Sequence, residues 1–397
     1  MNDLRLMPRL ADLAGVFLKV GTFGFGGPAA HLALLEDEVV SRRAWLTRET
    51  FLDLVGATHL IPGPNSTEMA IHIGYLRAGW LGLLVAGSCF ILPATLITAG
   101  LACLYVEYGS LPDVQPFLAG INPAVLGVIF VAVWRLGKSA ARTWRRAGVG
   151  VAVALAVLFE VDQVLALFAG GIGGMFLLVQ LRDRPRPRGG KLTLLLAGLL
   201  AASKSRLALA ASSTAAGAAL VSEVSIWQLG LFFLKVGAAL YGGGYVLVAY
   251  LEGGLVDEWG LLERTQLLDA IAIGQFTPGP ILSTATFIGY LVHGPPGAVV
   301  ATVGIFLPSF VFVLLLRPIL PRLREGAWTA AFLDAVNVSA VGLMAVAILN
   351  LGRGALEGPA AWVIALLAVL VLLRWKVSST WVILGGALAG WTVSLLG

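Results

Sequence analysis

Two lysines sit where an ammonium is out of place. Lys19 lies in FLKVGTFGFGG at 17–27 and Lys235 in FLKVGAALYGGG at 233–244, each inside a glycine-rich apolar stretch. A charge there is costly unless it meets an anion, water or a carboxylate. Downstream of each lysine comes a proline–glycine–proline triplet, Pro62-Gly63-Pro64 and Pro278-Gly279-Pro280. Proline removes a backbone donor and clashes with the preceding turn, so neither triplet can lie within a continuous helix. A helix that restarts after such a break directs its free N–H groups at anions. Asn65 has the type of an N-cap, with Glu68 three residues on, and Ser66 follows Asn65; Ser283, Thr284 and Thr286 offer hydroxyls at the matching place in the second stretch. The chemistry these residues suggest is binding of a small anion. The candidate set is Lys19, Gly26, Gly27, Pro62, Gly63, Pro64, Asn65 and Ser66 with Lys235, Gly242, Gly243, Pro278, Gly279, Pro280, Ser283 and Thr284. Asp53, Glu68 and Asp269 are candidates for carrying a proton or, for the two aspartates, for pairing with the lysines.

Each feature also has a plainer reading. A lysine near a helix start can snorkel to the interface, a lone triplet can be a packing kink, and Glu68 can close a capping box with Asn65. Glu36 and Glu252 are expected at the interface, and Asn122 and Asn337 are expected to hydrogen-bond between helices. Gly170–Gly174 and Gly386–Gly390 have the small-residue spacing of helix packing. The glycine stretches lack the spacing and strand context of a nucleotide loop. Cys89 and Cys103 are 14 residues apart on one expected helix and cannot bridge within it. His72 follows Glu68 at i+4, but two groups make no metal site, so neither metal nor cofactor is expected. A nucleophile with an adjacent base is also missing, which argues against an enzyme.

What positions these residues is a duplicated chain. Lys19 and Lys235, Asp53 and Asp269, and the two triplets all share an offset of 216; Tyr75 and Tyr290, Pro93 and Pro308, and Asn122 and Asn337 share an offset of 215. The composition is 58% hydrophobic and 12% charged, with a mean hydropathy of +0.90, which excludes a soluble globular protein of this length. Apolar runs near 81–104, 117–134, 147–161, 163–181, 207–221, 297–316, 328–350, 358–373 and 379–396 predict membrane helices. Strand-like alternation is absent, so a barrel is not expected. The pI near 9.4 reflects basic residues in short segments between these runs, and no nucleic-acid partner is expected. The start MNDLRLMPRL leads into a motif-bearing run, so no cleavable signal peptide is expected.

Loop charges orient the copies. In the first, YVEYGSLPDVQP carries acids only and WRLGKSAARTWRR carries Arg135, Lys138, Arg142, Arg145 and Arg146. In the second the order is exchanged: RPILPRLRE holds Arg317, Arg322 and Arg324, and the next loop only Arg353 beside Glu357. The positive-inside rule then sets the copies in opposite orientations, as an inverted repeat. The expected fold is an all-α polytopic membrane protein with two inverted-topology repeats of about six segments each, broken at the triplets. Residues 1–181 form the first repeat and 222–397 the second. Between them, 182–221 supplies a basic cytoplasmic linker, RDRPRPRGGK, and one extra transmembrane helix at 207–221, with Lys204 and Arg206 as interface charges. The N-terminus is expected in the cytoplasm and the C-terminus outside.

The FGFGGP stretch at 23–28, LIPGPN at 60–65, YGGGY at 241–245 and FTPGP at 276–280 resemble the chromate ion transporter family in its long form of two homologous halves. That resemblance implies chromate efflux across a bacterial inner membrane and chromate resistance, with sulfate as the look-alike oxyanion. Gly244 replaces Pro28 and Ile281 replaces Asn65, so the halves are expected to contribute unequally. The membrane potential favours a dianion leaving the cell, and proton exchange could add to it; on this reading, neutralising Lys19 or Lys235, or replacing Pro62 or Gly63, abolishes export. An oxyanion importer and a passive anion channel are the alternatives. Expected partners are a chromate- or sulfate-like oxyanion and the lipid bilayer, with a homodimer left open.

Overall fold

The computed structural model describes residues 6–25, 27–180, 224–241, 243–316, 326–375 and 377–396. The expected linker and extra helix at 182–221, together with Gly26, Gly242, Arg317, Arg322 and Arg324, lie outside the described residues.

The described residues form α-helices and no strands. Seven helices precede residue 181: α1 (Leu6–Phe23), α2 (Pro28–Glu36), α3 (Arg48–Thr58), α4 (Asn65–Tyr108), α5 (Gln115–Ala140), α6 (Trp144–Leu158) and α7 (Gln163–Gln180). Seven follow residue 224 in the same order: α8 (Ile226–Ala239), α9 (Val246–Leu251), α10 (Arg264–Phe276), α11 (Thr284–Leu316), α12 (Ala327–Ala355), α13 (Pro359–Arg374) and α14 (Ser379–Leu396). Local detail recurs as well. A π-helical turn follows α2 at Asp37–Arg42 and α9 at Glu252–Glu258. Each is closed by an amide–carbonyl bond of 2.8 Å, from Trp45 to Val39 and from Leu261 to Leu255. A polar cap starts the next helix both times: Thr47 accepts from the Thr50 amide, and Glu263 forms a capping box with Gln266.

In α4 the apolar run that starts near 81 is joined to 65–77, and the chain turns back on itself between them. Ala78 and Gly79 leave helical geometry, Gly79 with φ 64° and ψ −148°, a region open essentially to glycine. His293 and Gly294 repeat this in α11, where Gly294 has φ 61° and ψ −152°. Gly74 is thereby pressed on the Gly82 carbonyl, and Gly289 on that of Gly297. The short arm 65–77 therefore lies antiparallel against the start of the long arm 80–108.

The halves interlock. In the first half α5 packs on α13 and α14, while in the second α12 packs on α6 and α7; α4 meets α11, and α5 meets α12. The two small-residue pairs lie at these contacts. Gly174 faces the Ala335 side chain on α12, and Gly390 lies against Gly120 on α5. One core cluster runs through α5, α8, α10, α11 and α12, and a second, with Phe17, Phe51, Met69 and Phe90, holds α1 to α3 and α4. Outside these cores, Leu92 and Leu96 on α4, Val299 and Val303 on α11, and Leu366 and Leu370 on α13 point outward and are exposed. Such an apolar exterior suits lipid. Four described helices, α4, α5, α11 and α12, are long and apolar enough to cross a membrane.

Candidate functional site

The two triplets are where the halves touch backbone to backbone. The Gly63 amide donates to the Leu240 carbonyl at 2.8 Å, and the Gly279 amide donates to the Gly24 carbonyl at 3.0 Å. Gly24 and Leu240 are equivalent positions, so each break docks on the end of the lysine-bearing helix of the other half. Both glycines need positive φ, 143° at Gly63 and 94° at Gly279. The exposed backbone of each break is thus satisfied by the opposite repeat, as an apolar surrounding demands.

Of the two breaks, the first lines a cavity of about 720 Å³. Gly63 and Asn65 line it together with Tyr241 and Gly243 from the segment after α8. Arg135 and Asn337, from α5 and α12, line the remainder with Ser139, Ser378 and Ser379. Asn337 is exposed although its neighbours Val336 and Val338 are buried, so the cavity is open to solvent along α12. Arg135 anchors one guanidinium nitrogen on the Leu372 carbonyl at 2.8 Å. At the rim an ion pair joins Arg146 of the first half to Asp334 of the second. A guanidinium, hydroxyls, an amide and a helix N-terminus set in a largely apolar wall form an oxyanion-binding inventory.

Asn65 is not the N-cap that its type suggested. Pro64 occupies that position and Asn65 is the first helical residue, its side-chain amide paired with His59 Nδ1 at 3.0 Å. Glu68 is therefore released from the capping box. It is fully buried, and neither carboxyl oxygen has a hydrogen-bond partner.

The sequence profile of the chromate transporter family matches residues 11–175 and again 227–391. The chain belongs to the chromate transporter family. It is 31% identical over 388 residues to the chromate transport protein of Cupriavidus metallidurans, covering 96% of this chain and 92% of that one. With the probable chromate transport protein of Synechococcus elongatus it shares 30% over 368 residues, 92% of this chain and 90% of the relative. An uncharacterized transporter of Methanocaldococcus jannaschii is 28% identical over 348 residues, 86% of this chain and 84% of its own length. No solved structure matches.

In this chromate transporter family member, neither lysine lines the cavity. Lys19 donates to Glu38 at 2.7 Å and is half-exposed, while Arg42 and Arg43 approach the same carboxylate. The Lys19 ammonium, with Arg43 beside it, holds Glu38 below the usual carboxylate range against the opposing effect of burial. Lys235, also half-exposed, reaches Asp162 at 3.0 Å in the turn between α6 and α7. The two lysines of the candidate anion-binding set are thus held in two separate ion pairs. Asp269 takes part in neither: its carboxylate accepts from the Tyr105 hydroxyl at 2.7 Å. Asp53 is exposed on α3. Glu252, expected at the interface, is buried in the protein with Arg264 at 3.7 Å; Glu36 and Arg48, its counterparts by the repeat, sit 3.4 Å apart at the surface.

Among the remaining candidates, Gly27 precedes α2, and Ser66, Ser283 and Thr284 are buried. Pro278, Gly279 and Pro280 form a break packed on Gly21 and Ala94 rather than on the cavity. Arg135, Tyr241 and His59 are cavity residues that the sequence reading passed over. The end of the apolar run near 134 places Arg135 in a loop, but α5 continues to Ala140. A usable signal was its repeat partner, Asn350, which keeps a polar residue at the same place in an apolar helix.

Proposed function

We propose that this chain exports chromate across the bacterial cytoplasmic membrane and so confers chromate resistance. The observation that carries the reading is the cavity that joins a basic rim to the first helix break, in a chain whose relatives are named chromate transport proteins. The short arm of α4 has 13 residues between the break and its turn, about 20 Å of helix. That length sets Gly63 near the middle of a core roughly 30 Å thick if the turn lies at the membrane surface. Reciprocal docking of equivalent segments supports two inverted repeats related by an axis in the membrane plane. With the Arg135–Arg146 segment cytoplasmic, the N-terminus is cytoplasmic, the C-terminus is outside and the cavity opens inward, where chromate to be exported would enter. Arg135, the Asn337 amide, the serine hydroxyls and the first turn of α4 hold the anion, with Gly63, Asn65 and Gly243 shaping the inner end.

Moving a dianion out through 100 mV releases about 4.6 kcal/mol. The potential therefore suffices as a driving force. The test is uptake of radiolabelled chromate by inverted vesicles in which potassium and valinomycin make the lumen positive. Accumulation that collapses with the potential is expected. Accumulation only in right-side-out vesicles, or of sulfate but not chromate, would replace export by import or by sulfate transport. Flux without saturation would make the protein a channel.

A further inference from the structure

Glu68 lies directly behind the cavity wall. Gly63 lines the cavity, and a Cβ added to Gly63 would strike Glu68 Oε1 and stand 2.7 Å from Ser309 Oγ. Ser309 is fully buried, and its hydroxyl has no partner either. The groups facing Glu68 are few. His72 follows one turn along the same helix, Tyr241 on the segment after α8 is within electrostatic reach, and Ser309 comes from α11. No ion pair to Glu68 is found among the described residues. An ionised carboxylate with neither cation nor donor is strongly disfavoured in such a place, whereas a carboxylic acid is tolerated and can donate to a neighbouring hydroxyl.

We propose that Glu68 is a proton-binding site whose protonation is linked to anion occupancy of the cavity. The proposal rests on the oxyanion reading of that cavity. An anion bound beside Gly63 would face an ionised Glu68 across a single glycine backbone, in a region with little dielectric screening. Repulsion raises the proton affinity of Glu68, and by reciprocity a protonated Glu68 raises anion affinity. The linkage therefore has the sign of binding together, not of exchange. A proton held at a Glu68 carboxyl oxygen accompanies the anion and lowers by one the negative charge carried per anion.

The test is equilibrium binding to the purified full chain in lipid nanodiscs across the neutral pH range. Sulfate, whose charge is constant there, is the probe beside chromate. For wild type, affinity falls with rising pH, by up to about tenfold per pH unit where the carboxyl titrates. Glu68→Gln, isosteric and uncharged, holds the acid-side affinity at every pH, and Glu68→Asp keeps a pH dependence. Infrared spectra of the anion-loaded protein show the carbonyl band of a protonated acid that Glu68→Gln lacks. An unchanged pH profile in Glu68→Gln, or an unchanged infrared band, overturns the linkage alone. Absence of binding by wild type to either anion at any pH overturns the oxyanion reading and the linkage with it, while the infrared band still reports whether Glu68 is protonated.

Discussion

The two helix breaks share a sequence and a docking mode, yet their surroundings differ in kind. Gly63 faces a solvent-connected cavity, with an unpartnered carboxyl and an unpartnered hydroxyl behind it. Gly279 faces Ala94 and the Gly21 carbonyl, and its partner carbonyl, that of Gly24, is also bonded to His31 at 2.8 Å. The contrast extends outward. Asn337 opens on the cavity, whereas its counterpart Asn122 is buried near Asp269, which the Tyr105 hydroxyl holds at 2.7 Å. Arg135 lines the cavity, whereas its counterpart Asn350 does not. Duplication thus supplies a scaffold of two breaks, one tied shut by short polar contacts and one left open with charge nearby. In an inverted repeat, an open and a closed vestibule on opposite sides form the arrangement that alternating access exchanges.

The largest effect should separate the breaks themselves. Gly63→Ala forces a side chain into positive φ and into Glu68, and transport in vesicles is expected to fall at least a hundredfold while the protein still inserts. Gly279→Ala meets the Ala94 Cβ at 2.9 Å, so backbone strain of about 1–3 kcal/mol should appear as a lower unfolding temperature. Its transport should fall only in proportion to the folded fraction. Equal transport losses at equal stability would erase the functional difference between the breaks.

Charge at the cavity comes next. Arg135→Gln removes a charge-assisted contact worth about 1.5–3 kcal/mol, so chromate affinity measured by calorimetry should drop about 10- to 100-fold. Asn350→Ala should leave it within twofold. The closed side gives a smaller signal. Tyr105→Phe strips Asp269 of a donor, and a destabilisation of about 1–3 kcal/mol should show in thermal unfolding with anion affinity retained. The lysines come last. Lys19→Ala leaves Glu38 with Arg43, and Lys235→Ala frees an exposed Asp162; each half-exposed pair contributes about 0–1 kcal/mol. Export by both variants within threefold of wild type is the expected outcome, and loss of export would return the lysines to the binding site.

Much of the scaffold was legible because it depends on residues with few conformational choices. The triplets announced breaks through proline chemistry, and constant offsets announced the duplication. The apolar run is expected to start near 81, just after Ala78–Gly79, but the sense of the turn there was not legible, because one glycine's φ decides it. Nor were the lysine partners: Glu38 is 19 residues from Lys19 and Asp162 is 73 from Lys235, with only packing to bring them together. The cap at Asn65 and the capping box it offered Glu68 are misleading for the opposite reason. Their local pattern is a good capping signature, but the Pro64 position and the contact with His59 override it. Arg135 was hidden by a boundary error, since the end of an apolar run was taken as the end of a helix.

The central claim is that the open break, with Arg135 across from it, is where the exported anion sits. The most direct measurement is potential-driven chromate accumulation in inverted vesicles carrying wild type, Arg135→Gln or Gly63→Ala at matched, correctly inserted amounts. The account expects accumulation by wild type and background levels for both variants. Accumulation at the wild-type rate by either variant would contradict it.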